Sequence, residues 1–305
     1  MEKFQKSAKG KIKVKTRWAP YVLISPVVLL ITCVMLYPLG KTFYLAFQNY
    51  NPTMPFANGF CGFDNFVKIF TTEEFYSALA VSLKWVAAEV ILQLIFGMIV
   101  ALILNQNFRG RGFWRALVFT PWAMSGVLTA VLFGLIFNQN YGVLNDILQK
   151  MGLIHGKIAW LANTKLVLGS VAVAELWRGI PFFAISLLAA MQGLPQDVYE
   201  AAKVDGANRA QTFVHITLPL LKDTIVLTTL LRTIWEFNSV DLIYSLTGGG
   251  PVGKTTTLSM LIANQALTTN NYGYGSAISV VSFFILAIIA VIYMKASGFG
   301  KGSDS

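Results

Sequence analysis

The sequence predicts an all-α integral membrane protein with six transmembrane helices. Of its 305 residues, 55% are hydrophobic and only 12% are charged, and the mean hydropathy is +0.60. Soluble domains carry about twice that share of charged residues. Long runs with few charges recur along the chain, and about 20 such residues cross a bilayer as a helix. We therefore expect one membrane domain, 19–294, between a basic N-terminal tail, 1–18, and a C-terminal tail, 295–305.

The first predicted span, 19–40, follows a tail with seven Lys or Arg residues in its first seventeen positions. A basic tail beside an apolar run favours an anionic membrane surface, so a nucleic-acid partner is not expected. The run is too long for the apolar core of a signal peptide, and no small-residue cleavage site follows it, so we expect it to be retained. The other predicted spans are 85–104, 116–137, 166–191, 223–246 and 276–294, and Pro121 is expected to kink the third.

The distribution of basic residues predicts which side the loops face. Six spans place both termini on one side, and cytoplasmic segments of membrane proteins carry an excess of Lys and Arg. Segments on the side of the termini carry fifteen Lys or Arg residues, against six in the opposite segments, which include the predicted loops 46–78, 138–165 and 247–274. Both termini and the polar segment 193–222 are therefore predicted to be cytoplasmic.

That polar segment predicts a helix–turn–helix unit that stands off the membrane. Pro195 suits the start of a helix, where its missing N–H is not needed. Gly206 is suited to end that helix, because glycine readily adopts the left-handed conformation. Asn208 is an N-cap residue for a second helix, and Pro219 allows a bend before the next apolar run. The small alanines between them leave space for the groove of a partner.

The spacing in this segment resembles the EAA loop of the membrane subunits of ABC importers. Glu200-Ala201-Ala202 is followed after three residues by Gly206, and after nine more by Ile216 and then Leu218-Pro219. The resemblance implies a type I ABC importer permease in the bacterial cytoplasmic (inner) membrane, with a cytoplasmic EAA coupling-helix loop. The residues it implies for coupling to an ATPase are Glu200, Ala201, Ala202, Asp205 and Gly206.

Two predicted spans carry polar and aromatic side chains at helical spacing. Arg232, Trp235, Glu236 and Ser239 follow the order i, i+3, i+4 and i+7, and the run from Glu175 to Phe182 repeats it. Charges inside a membrane face a cavity or neighbouring helices, so these residues either line a cavity or pair within their helices for packing. The substrate-path candidates are Arg178, Gly179, Phe182, Arg232, Trp235, Glu236 and Ser239.

Other segments resemble the sugar-transporting, maltose-type members of the same family. They are Gly62-Phe63-Asp64-Asn65-Phe66, Gly142-Val143-Leu144-Asn145, Trp177-Arg178-Gly179-Ile180-Pro181-Phe182 and Thr247-Gly248-Gly249-Gly250-Pro251. In those members the cavity is lined from the helices that correspond to the fourth and fifth predicted spans. The resemblance therefore implies half of a translocation path for a sugar or oligosaccharide.

A phosphate-binding pattern also occurs, and we interpret it differently. Gly248 to Thr255 reads GGGPVGKT and fits G-x-x-x-x-G-K-S/T. A P-loop needs a preceding strand and a following helix that cradles phosphate. Here a predicted span precedes the motif, on the predicted outer side. The two cysteines and two histidines have no metal-site spacing, so no metal or cofactor is expected in this chain.

The resemblance also implies the partners. They are a cytoplasmic ABC ATPase dimer that binds ATP and Mg, a second EAA-bearing permease, an extracytoplasmic solute-binding protein and membrane lipid. The family usually pairs two unlike permeases, so the second permease is expected to be a different chain. The chain itself is not expected to be an enzyme. An importer of another solute, such as glycerol phosphate, an anionic sugar or a polyamine, is the alternative. A stand-alone secondary carrier is less favoured because the sequence has no internal repeat. An intramembrane enzyme is not favoured, because the sequence shows no nucleophile–base pair and no metal-binding group.

Overall fold

The computed structural model describes residues 19–298 and is helical over most of them. The predicted N-terminal tail 1–18 and the last part of the C-terminal tail lie outside the described residues. Within the described part, four helices are long and apolar enough to cross a membrane, or up to six if two bent helix pairs each form one span. The prediction of a helical, multi-pass membrane protein is confirmed.

The first span is one helix with a widened turn in its middle. α1 (Ala19–Ile31) passes through a π-helical turn at Thr32–Leu36 into α2 (Tyr37–Ala46). The Tyr37 N–H bonds to the Thr32 carbonyl, five residues back. Pro38 follows directly; it has no N–H, and its ring would clash with a carbonyl one turn earlier, which the wide turn avoids. The predicted span 19–40 is helical and continues to Ala46.

The predicted loop 46–78 contains more regular structure than expected. Strands β1 (Gln48–Asn49) and β2 (Gly59–Phe60) pair antiparallel, with a short 3-10 turn between them. α3 (Asp64–Thr71) and α4 (Glu73–Asn105) follow, so the loop prediction is wrong for the second half of this region. The second predicted span, 85–104, lies within α4.

The third predicted span is not one continuous helix. α5 (Arg111–Phe119) ends in a 3-10 turn at Thr120–Ala123, and α6 (Gly126–Ile136) then leaves at 98° to it. The expected kink near Pro121 is confirmed, but the straight span over 116–137 is wrong. The new helix begins because the Ser125 side chain caps it, accepting a hydrogen bond from the Leu128 N–H at 3.3 Å.

The fourth predicted span is confirmed as α8 (Val167–Gln192), after the short α7 (Val143–Lys150) in the preceding loop. α8 and α4 form the most extensive helix–helix contact of the described chain. Each supplies a glycine to it. A Cβ at Gly97 would overlap the Cβ of Phe183, and a Cβ at Gly179 would overlap the Gln93 amide group. These glycines therefore allow the two helices to approach closely.

The polar segment and the fifth span are built from five helices. They are α9 (Gln196–Val204), α10 (Arg209–Thr212), α11 (Leu218–Leu220), α12 (Lys222–Asn238) and α13 (Asp241–Leu246). A π-helical turn at Phe213–Thr217 joins α10 to α11 and ends just before Pro219, as the first π turn ends just before Pro38. The helical run from Arg209 to Leu220 then bends by 66° into α12.

Two further predictions about the C-terminal third are corrected. α12 ends at Asn238, and Ser239 is extended with φ −70° and ψ 126°, so Ser239 does not continue the helical face of Arg232. The fifth span 223–246 is therefore interrupted. The predicted loop 247–274 contains α14 (Leu258–Leu267), and α15 (Tyr272–Ser297) confirms the helix expected at 276–294.

Candidate functional site

A cluster of buried polar side chains joins α4, α8 and α12. Arg232 of α12 lies 2.8 Å from a Glu175 oxygen of α8 and 2.6 Å from a Glu236 oxygen of its own helix. Gln93 of α4 connects them: its Oε1 accepts from Arg232 Nε at 2.6 Å, and its Nε2 donates to Glu89 at 2.8 Å and to Glu236 at 3.0 Å. All five side chains are buried. Separating the helices would break buried ion pairs and leave uncompensated charges, which is costly. The cluster therefore holds α4, α8 and α12 together.

Four side chains form a more exposed edge beside the cluster. Arg178 holds Glu175 through two nitrogens at 2.8–3.0 Å, and its Nη1 lies 3.8 Å from Asp241. Phe182 packs against Trp235 with 5.1 Å between ring centroids. Trp235 is 46% exposed, and the Asp241 side chain is 44% exposed. We name Arg178, Phe182, Trp235 and Asp241 the aromatic edge.

The Asp241 carboxylate also rests on the start of α6. A Cβ at Gly126, the first residue of α6, would overlap both carboxylate oxygens. The N-terminal end of a helix carries partial positive charge, which stabilises a carboxylate there. Asp241 therefore joins the bent third segment to Arg178 of α8.

The sequence-predicted path residues divide between these two regions. Arg232 and Glu236 are buried in the cluster, and Gly179 faces Gln93. Arg178, Phe182 and Trp235 belong to the aromatic edge, and Ser239 lies next to it, with its Oγ 3.5 Å from Asp241. Both intrahelical pairs, Glu175–Arg178 and Arg232–Glu236, are present. For the buried members this favours the packing alternative, and a contact with substrate stays a prediction for the others.

Three members of the polar region on α4 were not selected from the sequence. Trp85, Glu89 and Gln93 are buried, and Trp85 Nε1 donates to Glu236 at 3.2 Å. One oxygen of Glu89, Oε1, has no hydrogen-bond partner within the described chain. These residues are spaced four apart, so they share one face of an apolar helix. That spacing was the signal available, because polar side chains aligned inside a span face other protein groups.

A cavity of about 660 Å³ lies elsewhere, between α12, α14 and α15. Its wall on α12 includes Ile234 and Asn238, which are four residues apart and share one face of that helix. None of the seven predicted path residues lines it. The cavity and the aromatic edge are therefore separate surfaces of α12.

The polar segment has the local structure that the sequence predicts. α9 starts after Pro195, and Gly206 adopts φ +79° behind its last turn. The Ala207 N–H bonds to the Ala202 carbonyl at 2.9 Å and the Gly206 N–H to the Lys203 carbonyl at 3.1 Å, which is a Schellman ending.

The second helix of the segment starts with a reciprocal cap. Asn208 accepts from the Gln211 N–H at 2.9 Å, and its own N–H donates to the Gln211 side chain at 2.8 Å. Both ends of the turn are thus fixed by hydrogen bonds. We name α9, the turn and α10 the handle.

The predicted coupling residues lie mostly on the outside of the handle. Glu200, Ala201, Asp205 and Gly206 are exposed, whereas Ala202 is buried. On the inner side, the Tyr199 hydroxyl is 3.1 Å from the Thr217 hydroxyl. Ala202 therefore contacts its own chain, and a contact with an ATPase stays a prediction for the four exposed residues.

Comparison with known proteins identifies the family. Residues 93–298 match the profile described as binding-protein-dependent transport system inner membrane component. The chain belongs to this family of transport permeases. The match covers the chain from Gln93 in α4 through α15 and includes the handle and the aromatic edge.

Curated relatives resemble this permease over nearly its whole length. The trehalose/maltose transport system permease protein MalF of Thermococcus litoralis is 35% identical over 295 residues, which are 96% of this chain and 98% of that protein. The diacetylchitobiose uptake system permease protein DasB of Streptomyces coelicolor is 31% identical over 281 residues, covering 91% and 86% of the two chains.

The fold of the permease also matches a solved structure. A chain of a bacterial alginate ABC transporter, in complex with an alginate pentasaccharide-bound periplasmic protein, aligns with a TM-score of 0.81 and 24% identity. The alignment covers 92% of this chain and 94% of that chain. At this identity the likeness concerns the fold.

The P-loop-like motif of the permease has no P-loop geometry. It follows the helix α13, where a P-loop would follow a strand. Its backbone N–H groups bond to carbonyls of the same loop: Lys254 to Pro251 at 3.0 Å and Thr255 to Gly249 at 3.2 Å. Because a phosphate would need such N–H groups free, the loop geometry favours our interpretation over a nucleotide site.

Proposed function

We propose that the chain is one of two membrane subunits of an ATP-driven sugar importer. It forms half of the translocation path for a sugar or oligosaccharide, and a separate cytoplasmic ATPase drives it. Relatives of matching length named for trehalose/maltose and diacetylchitobiose support a sugar as the solute. The partners would be a cytoplasmic ABC ATPase dimer, a second EAA-bearing permease and an extracytoplasmic solute-binding protein. ATP and Mg would be bound by the ATPase, and this chain would hold no cofactor.

The observation that carries the proposal is the continuous, hydrogen-bonded connection from the handle to the aromatic edge. Both ends of the handle turn are fixed by hydrogen bonds, between backbone groups at Gly206 and between side chains and backbone at Asn208. The helical run from Arg209 to Leu220 then leads to a bend at the fully buried Leu221 and into α12, which carries Trp235. A force on the exposed side of α9 would therefore reach α12 through a contiguous helical path.

The aromatic edge supports a sugar ligand chemically. A sugar ring has an apolar face and a rim of hydroxyl groups. Trp235 offers an exposed ring that buries apolar area, and Arg178 and Asp241 offer charged donors and acceptors for hydroxyls. We propose these three residues, with Phe182 as support for the Trp235 ring, as the substrate-contacting part of this subunit.

In the proposed membrane arrangement, each of the two bent pairs counts as one span, which gives six. Both termini and the handle would then lie in the cytoplasm, as the distribution of basic residues predicts. The loop 247–257 would lie on the outer side. Because the described chain exposes one residue on each of these segments almost fully, the arrangement can be tested with a matched pair of labels.

The test uses Val204 on the handle, 88% exposed, and Val252 on the outer loop, 87% exposed. Each is changed to cysteine in a background where Cys33 and Cys61 are serine, and intact cells are treated with a membrane-impermeant maleimide. Val252→Cys is expected to react in intact cells, and Val204→Cys only after permeabilisation. The reverse pattern would overturn the proposal, because an ATPase in the cytoplasm could not contact the handle.

Transport itself is tested by reconstitution into liposomes. The complex purified through this chain is expected to contain an ATPase and a second permease. With a solute-binding protein added, it should take up maltose or trehalose only when ATP is supplied on the cytoplasmic side. Sugar uptake by the isolated chain without ATP would instead identify a stand-alone carrier and contradict the proposal.

A further inference from the structure

A groove between the end of α4 and α5 combines an apolar wall with an arginine cluster. The apolar part has a volume of about 250 Å³ and is lined by Val100, Ile103, Leu104, Phe108, Trp114 and Val118. A second cavity, a shallow and open depression of about 360 Å³, is lined by Asn107, Phe108, Arg109 and Arg111. Phe108 lines both cavities, so the apolar groove and the basic cavity are neighbours on one surface.

The arginines of this surface lack acidic partners. Within residues 19–298, Arg109, Arg111 and Arg115 make no ion pair. Arg111 donates to the neutral Asn107 amide oxygen at 3.1 Å, and Arg115 to the Leu104 carbonyl at 3.4 Å. Arg115 Nε is buried and has no hydrogen-bond partner in that range. The charges of Arg109 and Arg111, the two arginines that line the basic cavity, are therefore available for an anion.

The position of the groove selects the kind of anion. α4 is a candidate membrane span that ends at Asn105, so the groove lies where a helix leaves the apolar layer. Phe113 is 67% exposed and Trp114 49% exposed, and such aromatic rings are typical of the membrane–water interface. A ligand that fills both cavities needs an apolar chain next to a negative group.

We propose that this groove binds one anionic phospholipid. Its phosphate lies between Arg109 and Arg111, and one acyl chain lies along Ile103 and Trp114. Basic pockets beside membrane helices bind anionic headgroups in this way, and burial of the chain adds to the affinity. The inference rests on the chain being membrane-embedded and is independent of the proposed solute and of the ATPase.

The test measures lipid retained by the full chain in its purified complex. After delipidation in detergent, the complex is titrated with a phosphatidylglycerol or a phosphatidylcholine of the same acyl chains, and bound lipid is counted by native mass spectrometry. We expect one phosphatidylglycerol to bind more tightly than phosphatidylcholine. Equal binding of the two lipids would overturn the proposal.

Two variants separate the headgroup contact from the acyl-chain contact. Arg109→Gln with Arg111→Gln should weaken phosphatidylglycerol binding by about thirtyfold, roughly fivefold for each charge removed. Ile103→Trp keeps all charges and fills the apolar groove, so it should reduce binding of both lipids there. Arg209→Gln is the matched control, because Arg209 is an exposed arginine of α10 away from this groove.

A free anion is distinguished by the same variants. If the double arginine variant loses binding, Ile103→Trp has no effect and inorganic phosphate displaces the lipid, the surface is a simple anion site and the lipid proposal is wrong. Helix content and elution volume are measured for each variant to confirm that it is folded. Unchanged phosphatidylglycerol binding in a folded double variant would also refute the proposal.

Discussion

Replacing Gly179 with alanine tests how the close packing of α4 and α8 depends on the buried polar cluster. The added Cβ would overlap the side-chain amide of Gln93, which is fully buried. Gln93 would have to leave its place between Arg232, Glu236 and Glu89. The variant therefore disrupts three hydrogen bonds through one methyl group, without altering any polar residue.

The expected loss can be estimated from those bonds. Side-chain hydrogen bonds between membrane helices average about 0.6 kcal/mol, and if the bond to Glu89 within α4 is given the same value, the three give about 2 kcal/mol. Buried groups left without a partner add about 1–3 kcal/mol. Alanine regains at most about 1 kcal/mol over glycine through helix propensity. We therefore expect Gly179→Ala to lower the free energy of unfolding by about 2–4 kcal/mol.

Unfolding is measured by SDS titration of the purified chain in mixed micelles. Gly169→Ala is the matched control, since Gly169 lies on the same helix and a Cβ there would meet no atom within 4 Å. The control should be neutral or slightly stabilising. The decisive measurement is the double variant: in a Gln93→Ala background the clash is gone, so Gly179→Ala should cost much less, with a coupling of at least about 1 kcal/mol.

Two results would refute the reasoning. If Gly179→Ala unfolds with the same free energy as the wild type and Gly169→Ala, Gln93 is not held in place as described. If Gly179→Ala costs the same with and without the Gln93 side chain, the loss arises from another contact of α8.

Three further predictions concern the proposed transport cycle. Gly206→Val should reduce sugar uptake relative to ATP hydrolysis, because a β-branched residue is strained at φ +79°. Gly206→Asn should retain more coupling. An unchanged ratio of uptake to hydrolysis in the valine variant would contradict the idea that the handle transmits force. Trp235→Ala should lower sugar uptake by up to about tenfold while the complex still assembles. Trp122→Ala, which removes a similarly exposed ring, should not lower it. Normal uptake in the Trp235→Ala variant would remove Trp235 from the substrate path. Lys254→Ala should leave ATP binding by the complex unchanged. Loss of ATP binding in this variant would instead support a P-loop.

The handle was predictable because its structure depends on neighbours in sequence. The left-handed turn at Gly206 and the cap at Asn208 follow from residue types within a few positions, and both are present. The break after Asn238 was not predictable in this way. No proline or glycine marks Ser239, and its extended conformation accompanies the packing of α13 on α6.

The polar cluster was predictable only in part. Spacing along one helix indicates the pairs Glu175–Arg178 and Arg232–Glu236, and both form. The bond from Arg232 to Glu175 and the central position of Gln93 depend on which helices are neighbours, and residue spacing within one span does not contain that information. The need for glycine at position 179 could not be predicted either, because it arises from the contact with Gln93 on the neighbouring helix.

The separation of the buried cluster from the aromatic edge has a consequence for how such permeases diversify. Arg232 and Gln93 hold the helices together and are shielded, whereas Trp235 and Asp241 lie at the periphery with nearly half of their surface free. If Trp235 contacts the solute as we propose, replacing it would alter which cargo is accepted and leave the buried cluster unbroken. Natural selection could thus retune solute preference in small steps, each compatible with an intact bundle.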